Sequence, residues 1–416
     1  MASDAVNRYS RFAATLDRLR EEHCLRVIPD GFPEGCIDMT TNDYMGLAAE
    51  MQDTGYCLRA AEMTSSASRL LAGEQGDARE LEALLSDLYG RPALLFNSGY
   101  HANTGCVSAI ASGGGMTIVA DRLVHASIID GMRLSGAPFK RFRHNDMEHL
   151  RRIVAQESAE GHQVLVVTES VFSMDGDVAP LAEMVQLRRE HDNMLLYVDE
   201  AHAFGVRGAR GLGVCEELGL LGDVDLLIGT FGKAAASMGA FAVASPVLHD
   251  YLVNTARSLI FSTALPPACF RHTSVMVRRL SEECAARRER LAELASLFRQ
   301  GIERITGMPN MSTSQIVPLM VCDAGRVLDL SARLRTRGVL ALPIRRPTVP
   351  PGTERIRFCL RHFLGADVDD YTYEALKLFM LGAITRAFKP GSKFEIMLCL
   401  VGGQGAGKST FFRLLA

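Results

Sequence analysis

Leu195-Leu196-Tyr197-Val198-Asp199-Glu200-Ala201-His202 and, after a glycine-rich interval, Val224-Asp225-Leu226-Leu227-Ile228-Gly229-Thr230-Phe231-Gly232-Lys233 decide how this chain folds. Leu195–Val198 and Val224–Ile228 are short, β-favouring apolar runs closed by polar residues or glycine. Such runs fit strands of a parallel sheet buried on both faces. In open α/β sheets the ligand sits beyond the carboxyl ends of the strands, which is where Asp199, His202 and Lys233 fall. A carboxylate and a lysine facing one crevice suit pyridoxal phosphate, whose carbonyl is held by lysine and whose ring nitrogen pairs with aspartate. Taken alone the signal stays open: DEAH also occurs in helicases, and a lysine after a strand is commonly solvated surface.

Outward from this stretch, 416 residues give room for two or three domains and a large core. The formal net charge of −3 exerts no global pull toward nucleic acid or an anionic membrane. Ten cysteines are scattered without a CxxC pair or metal-ligand spacing. That usage is expected of reduced thiols in a cytoplasmic protein that binds no metal. The N-terminal MASDAVNRYSRFAATLDRLREE reads as a charged amphipathic helix, not a signal peptide, and no apolar run reaches membrane-spanning length.

Along the chain, the spacing of Phe12, Leu16 and Leu19 predicts a helix over 5–26, followed by a turn at 31–35 and a short strand at 37–40. Asp77–Tyr89 is a helix with leucines on one side and Gly90 as its stop. The strand 93–96 leads into Asn97-Ser98-Gly99-Tyr100, where a helix is expected to begin. Small residues at such a turn leave N–H groups free at the positive end of the helix dipole, a seat for phosphate or simply a tight turn. Strands at 117–120 and 164–168 and a helix at 181–191 continue the alternation through residue 245, as a doubly wound α/β sheet requires. From about Ala268 the pattern turns helical and charged, with one long helix over 278–306. Strands at 316–321, 339–343 and 354–360 around a helix at 327–337 predict a smaller α+β domain.

These residues assemble into nine ordered motifs: TNDYMGL (41–47), LLFNSGYHAN (94–103), VADRLVHASIIDG (119–131), RFRHND (141–146), VVTESVFSMDGDVAPLAE (166–183), VDEAHAFGV (198–206), GTFGKA (229–234), FSTALPP (261–267) and IRRPTVPPGTERIRF (344–358). Through them the chain resembles, from its N-terminal helix to about Phe363, the α-oxoamine synthase family of pyridoxal phosphate enzymes. The resemblance implies the fold type I, aspartate aminotransferase-like architecture: an N-terminal arm (1–45), a large cofactor-binding domain with a mostly parallel sheet (46–270) and a small α+β domain (271–363). It also implies a homodimer with shared active sites. Lys233 matches the lysine that holds the cofactor, Asp199 the ring-nitrogen partner, His202 the neighbour of the phenolic oxygen and His125 the histidine over the ring. Ser173 matches a polar cofactor contact, Gly99 and Tyr100 a backbone phosphate seat, Thr230 a phosphate hydroxyl and Thr263 a group offered by the neighbouring subunit. Arg26, Arg345, Thr348 and Arg357 match positions around the substrate. Arg357 is the expected carboxylate clamp, because its planar fork suits bidentate pairing, with Arg355 assigned to the opposite strand face. The implied activity is a decarboxylative condensation of an amino acid with an acyl thioester. The PTVPPGT stretch favours the branch that joins L-alanine to a pimeloyl group on CoA or a carrier protein. A glycine C-acetyltransferase-like pairing of another amino acid and acyl chain is the alternative.

The chain departs from the family in three places: Ser65-Ser66-Ala67-Ser68-Arg69 replaces a glycine-rich run, Ala78 stands where a histidine is usual, and Ala234-Ala235-Ala236 follow Lys233 where glycines are common. Beyond Phe363 the pattern changes. An apolar strand expected at 394–401 precedes Gly402–Ser409, which fits GxxxxGK[ST], with Gly402 and Gly407 in the loop, Lys408 for the β/γ-phosphates and Ser409 for a metal. Residues 364–416 resemble the virulence-associated E type of primase-helicase ATPase. As a whole-chain function a nucleic-acid motor is disfavoured, since the P-loop follows the acidic motif and there is no basic domain. The expected arrangement is a synthase joined to the start of an unrelated ATPase, a truncated fusion or gene junction, with the nucleotide site incomplete. A helix expected at 371–388 is the alternative substitute for the family's terminal helix.

Overall fold

The computed structural model describes residues 10–26, 36–50, 63–71 and 75–362. The P-loop residues Gly402, Gly407, Lys408 and Ser409, and the elements expected at 371–388 and 394–401, lie outside the described residues. In chain order the elements are α1 (Ser10–Glu21), β1 (Ile37–Asp38), α2 (Leu47–Glu50), α3 (Gly76–Tyr89), β2 (Ala93–Phe96), α4 (Gly99–Ala111), β3 (Met116–Asp121), α5 (Ala126–Ser135) and β4 (Phe139–Phe142). Then come α6 (Met147–Ala159), β5 (Gln163–Glu169), α7 (Leu181–Glu190), β6 (Met194–Asp199), α8 (Val214–Glu217), β7 (Leu226–Thr230), β8 (Ala240–Ala244), α9 (Pro246–Thr255) and α10 (Arg257–Ile260). The chain continues through α11 (Pro267–Glu282), α12 (Ala285–Thr306), β9 (Ile316–Met320), α13 (Ala324–Arg335), β10 (Val339–Leu340), β11 (Leu342–Ile344) and β12 (Arg355–Cys359).

The described residues fall into two compact units: those within 42–293 together with Thr313–Gln315, and those within 10–41 together with Leu294–Ser312 and 316–362. The first is built on a seven-stranded sheet in the order β2-β8-β7-β6-β5-β3-β4. Its strands pair in parallel from β7 across to β4, while β8 runs antiparallel to both β7 and β2. Every residue of β3, β7 and β8 is buried, as strands covered on both faces must be. One core cluster carries Ile118, Leu165, Tyr197 and Ile228 from β3, β5, β6 and β7 against Val107, Ile110, Ile128 and Leu252 from α4, α5 and α9. Helices α4 and α5 approach closely because position 131 is glycine: a Cβ there would stand 3.0 Å from the Asn103 carbonyl oxygen and from Val107 Cβ. At the end of β7 Gly229 does the same for an aromatic cluster, since a Cβ would fall 2.2 Å from the Phe241 ring, which packs on Phe204 and Phe231.

The second unit holds the antiparallel sheet β11-β12-β9 and the parallel pair β1-β10. Its core joins Val317, Leu319, Ile356 and Phe358 to Phe298, Ile302, Val327 and Leu330.

The helix expected over 278–306 needs correction. The chain breaks at Glu283-Cys284, where α11 ends on the Glu283 N–H to Arg279 carbonyl bond and the Cys284 side chain turns inward. Neither glycine nor proline marks the break. Arg355 is corrected as well: two positions from Arg357 on one strand, it shares that residue's face. None of the described cysteines forms a disulfide. No helix among the described residues is long and apolar enough to cross a membrane.

Candidate active site

The carboxyl ends of β6 and β7 deliver the two groups that head the site. Lys233 lies three residues past β7, with Nζ 3.0 Å from Nε2 of His202. His202, three residues past β6 and buried, places Nδ1 2.9 Å from the Tyr44 hydroxyl. Tyr44 is fully buried and donates its own hydrogen to Asn42 Oδ1 at 3.0 Å. With that hydrogen committed, the phenolic oxygen accepts from His202 Nδ1–H, and Nε2 is left with a lone pair toward Lys233. The Gln315 amide donates to the His202 carbonyl at 2.7 Å and holds its backbone.

Asp199, at the end of β6, is buried with both oxygens engaged. Oδ1 accepts the Ala201 N–H at 2.9 Å and Oδ2 accepts the Asn103 amide at 2.7 Å. Asn103 comes from the second turn of α4, where it is a polar residue on an otherwise apolar buried face. Its amide nitrogen also donates to Ser127 Oγ at 2.9 Å, and its carbonyl accepts the Tyr197 hydroxyl at 2.5 Å. His125 is the N-cap of α5. Its Nδ1 accepts the Ser127 N–H at 3.2 Å and lies 2.7 Å from Ser127 Oγ. Burial draws the His125 imidazole below its ordinary pKa, against the pull of Asp199 and with the help of Lys233. Glu169, opposite Asp199 across β5 and β6, is buried as well. Burial, reinforced by the Asp199 charge, pushes its carboxyl well up.

Beside these groups α4 begins. Ser98 caps it by accepting the His101 N–H at 3.2 Å, which leaves the Gly99 and Tyr100 N–H groups in the first turn, where no intrahelical partner exists. The Thr230 side chain faces that turn: a Cβ on Gly99 would sit 3.7 Å from Thr230 Oγ1. Thr263 presents its carbonyl to Asn97 of the same chain at 2.7 Å and bridges Ser68. Ser173 lies in the turn after β5, which closes through the Gly176 N–H to Phe172 carbonyl bond. Behind that turn, His144 bridges two carboxylates, Asp121 through Nδ1 at 2.9 Å and Asp177 through Nε2 at 2.7 Å, and meets the Phe172 ring edge-on. Burial opposes its charge, but the bonds to Asp121 and Asp177 outweigh burial, and its pKa is pushed up to about 10.

The substrate positions named from the sequence gather in the second unit. Arg26 donates to Thr348 Oγ1 at 2.7 Å, and Arg345 holds the carbonyls of His23 and Leu25 at 2.6 and 2.8 Å. Arg357 is buried in β12. Among the described residues, Glu157, Glu160 and His162 form the one grouping spaced to hold a cation, but Lys140 already occupies Glu157 at 2.5 Å.

Four residues that position the site were not singled out from the sequence: Tyr44, Asn103, Ser127 and Glu169. Each lies inside a quoted motif. The available signal was a polar residue on a buried apolar face (Asn103) or two residues after a helix-capping histidine (Ser127).

Comparison with known proteins identifies the family. The aminotransferase class I and II family profile matches residues 34–363, and the virulence-associated protein E-like domain profile matches 348–416. A putative 8-amino-7-oxononanoate synthase of Pasteurella multocida is 47% identical over 330 residues, 78% of this chain and 85% of its own length. The 8-amino-7-oxononanoate synthase of Chlorobaculum parvum is 42% identical over 375 residues, 85% of this chain and 94% of its own. A solved serine palmitoyltransferase from S. paucimobilis, carrying a PLP–myriocin adduct, superposes with a TM-score of 0.77 at 28% identity. That alignment covers 92% of this chain and 98% of the neighbour.

Proposed function

The chain belongs to the aminotransferase class I and II family, together with 8-amino-7-oxononanoate synthases, and from that premise we propose that it condenses L-alanine with a pimeloyl thioester. The products are 8-amino-7-oxononanoate, carbon dioxide and the free thiol of CoA or of a carrier protein. The observation that carries the reading is Lys233 Nζ held 3.0 Å from His202 beside the buried Asp199, at the ends of adjacent strands.

The residues present fit pyridoxal phosphate. A buried carboxylate, a lysine amine with a histidine acceptor, and a helix start facing a threonine hydroxyl match its ring nitrogen, its carbonyl and its phosphate. When bound, the cofactor supplies a carbonyl that takes up the amino acid and a protonated ring that withdraws electrons from its α-carbon.

The chain supplies the rest. Asp199, oriented by the Ala201 N–H and the Asn103 amide, is the group that would pair with the ring nitrogen. His202 accepts a proton from Lys233, freeing the lone pair that makes lysine a nucleophile and then a base at the substrate α-carbon. Gly99, Tyr100 and Thr230 hold the phosphate, and Ser173 and His125 orient the ring, with Thr263 completing the site in a homodimer. Arg357 is the proposed clamp for the substrate carboxylate through its planar fork, and Arg26, Arg345 and Thr348 are the other proposed substrate positions.

The test follows the visible band of the protein loaded with pyridoxal phosphate as L-alanine and then pimeloyl-CoA are added, with thiol release measured alongside. The expected outcome is a band that shifts with L-alanine and thiol release that needs both substrates. In Lys233→Ala the release should fall by about 10³-fold or more with the fold unchanged in circular dichroism. A shift with glycine or serine but not alanine moves the amino-acid assignment to that substrate. No shift with any of them, or undiminished turnover in Lys233→Ala, refutes the proposal.

A further inference from the structure

Asn103 and Ser127 touch none of the reacting groups assigned above except through Asp199 and His125, yet their hydrogen bonds admit one proton arrangement. The Asn103 amide nitrogen donates to Asp199 Oδ2 at 2.7 Å. The Asn103 oxygen therefore faces Tyr197, whose hydroxyl donates to it. The second amide hydrogen goes to Ser127 Oγ at 2.9 Å. Ser127 then turns its own hydroxyl hydrogen toward His125 Nδ1, 2.7 Å away. The Ser127 backbone N–H, which cannot reverse, points at the same nitrogen from 3.2 Å. Two donors converge on Nδ1, so Nδ1 carries no proton. Asn103, Ser127 and Tyr197 are all buried, out of reach of exchange with bulk water.

We infer that Asn103 and Ser127 are positioning residues that tie His125 to Asp199, locking His125 as the neutral ring with its single hydrogen on Nε2. The lock makes His125 a donor and not a base at the atom it offers to the reaction. What His125 faces rests on the function proposed above; the lock itself does not. The charges around the ring agree with a neutral form. Asp199 from β6 and Asp130 from α5 favour an imidazolium and Lys233 opposes it. Glu169 from β5 accepts the His125 backbone N–H, and its own charge is suppressed by burial. Burial of the ring outweighs the two aspartates.

The experiment is ¹⁵N NMR of the full chain, histidine-labelled and loaded with pyridoxal phosphate, the His125 signals being assigned by their loss in His125→Asn. The expected spectrum has an unprotonated Nδ1 and a protonated Nε2, unchanged from about pH 6 to about pH 9, a window in which an unperturbed histidine titrates. In Ser127→Ala, Nδ1 loses a donor and the ring should begin to titrate within that window. There kcat should fall about tenfold, with KM for the amino acid unchanged, and Ser127→Thr should restore both readouts. Asn103→Ala should reproduce the titration. An Nδ1–H tautomer or an imidazolium in the unsubstituted protein at neutral pH overturns the inference. So does a Ser127→Ala ring that stays locked. If the cofactor does not bind at all, the function proposal falls, while the tautomer is still read from the same nitrogens in the protein alone.

Discussion

Tyr44 shows how much of the chemistry depends on a side chain that performs none of it. Its hydroxyl stands between Asn42 and His202, and its direction decides which imidazole nitrogen confronts Lys233. Tyr44→Phe keeps the ring and strands a buried His202 Nδ1–H, a loss of about 1–3 kcal/mol. The expected outcome is weaker binding of pyridoxal phosphate with little change in secondary structure, measured by titrating the cofactor into apoprotein. Unchanged affinity would remove Tyr44 from the site. Asp199, His202 and Lys233 were legible in the sequence because each follows an apolar strand at the edge where ligands gather. Their partners were not, because a tyrosine in a loop or an asparagine in a helix acquires its meaning only from what lies opposite it in space.

At the scale of elements, the turn carrying Ser173 is fastened by one histidine between two carboxylates. The pKa of His144 is raised to about 10, above that of an unfolded histidine, so the folded state holds the proton more tightly. That contribution is complete below an unfolded value of about 6.5 and is lost as pH climbs through about 10. His144→Gln should therefore lower the melting temperature most at pH 6, with the gap to the unsubstituted protein closing toward pH 10.5. A gap that is constant or widens with pH would mean that His144 acts by packing alone. Strands with long apolar runs, β2, β3, β5 and β6, were legible within a residue or so of their ends. β4 was not, because Phe139-Lys140-Arg141-Phe142 is a short edge strand with two central charges. Nor was β8, an alanine-rich run whose antiparallel sense no periodicity encodes.

For the whole molecule, the family match ends near residue 363 and the virulence-associated E-like match overlaps it from 348. The two share a stretch that includes β12, a central strand of its sheet. If the P-loop plays no part in the condensation, Lys408→Ala should leave the rate of thiol release within about twofold of the unsubstituted protein. A large loss would couple the tail to the synthase. The fold class was legible from the order of the motifs. The strand order was not, because it depends on which strands meet across long intervals of chain.

One such interval bears on how the protein is made. Among the described residues β2 pairs with β8 alone, Ala93 opposite Val243, so the described partner of the strand leading into the Gly99 turn is residues 240–244. A nascent chain leaving the ribosome holds β2, α4 and the Gly99 turn long before the partner strand emerges. The turn at Gly99 is thus backed by a strand whose partner lies about 150 residues further along the chain, a contact of high sequence separation of the kind that forms late in folding.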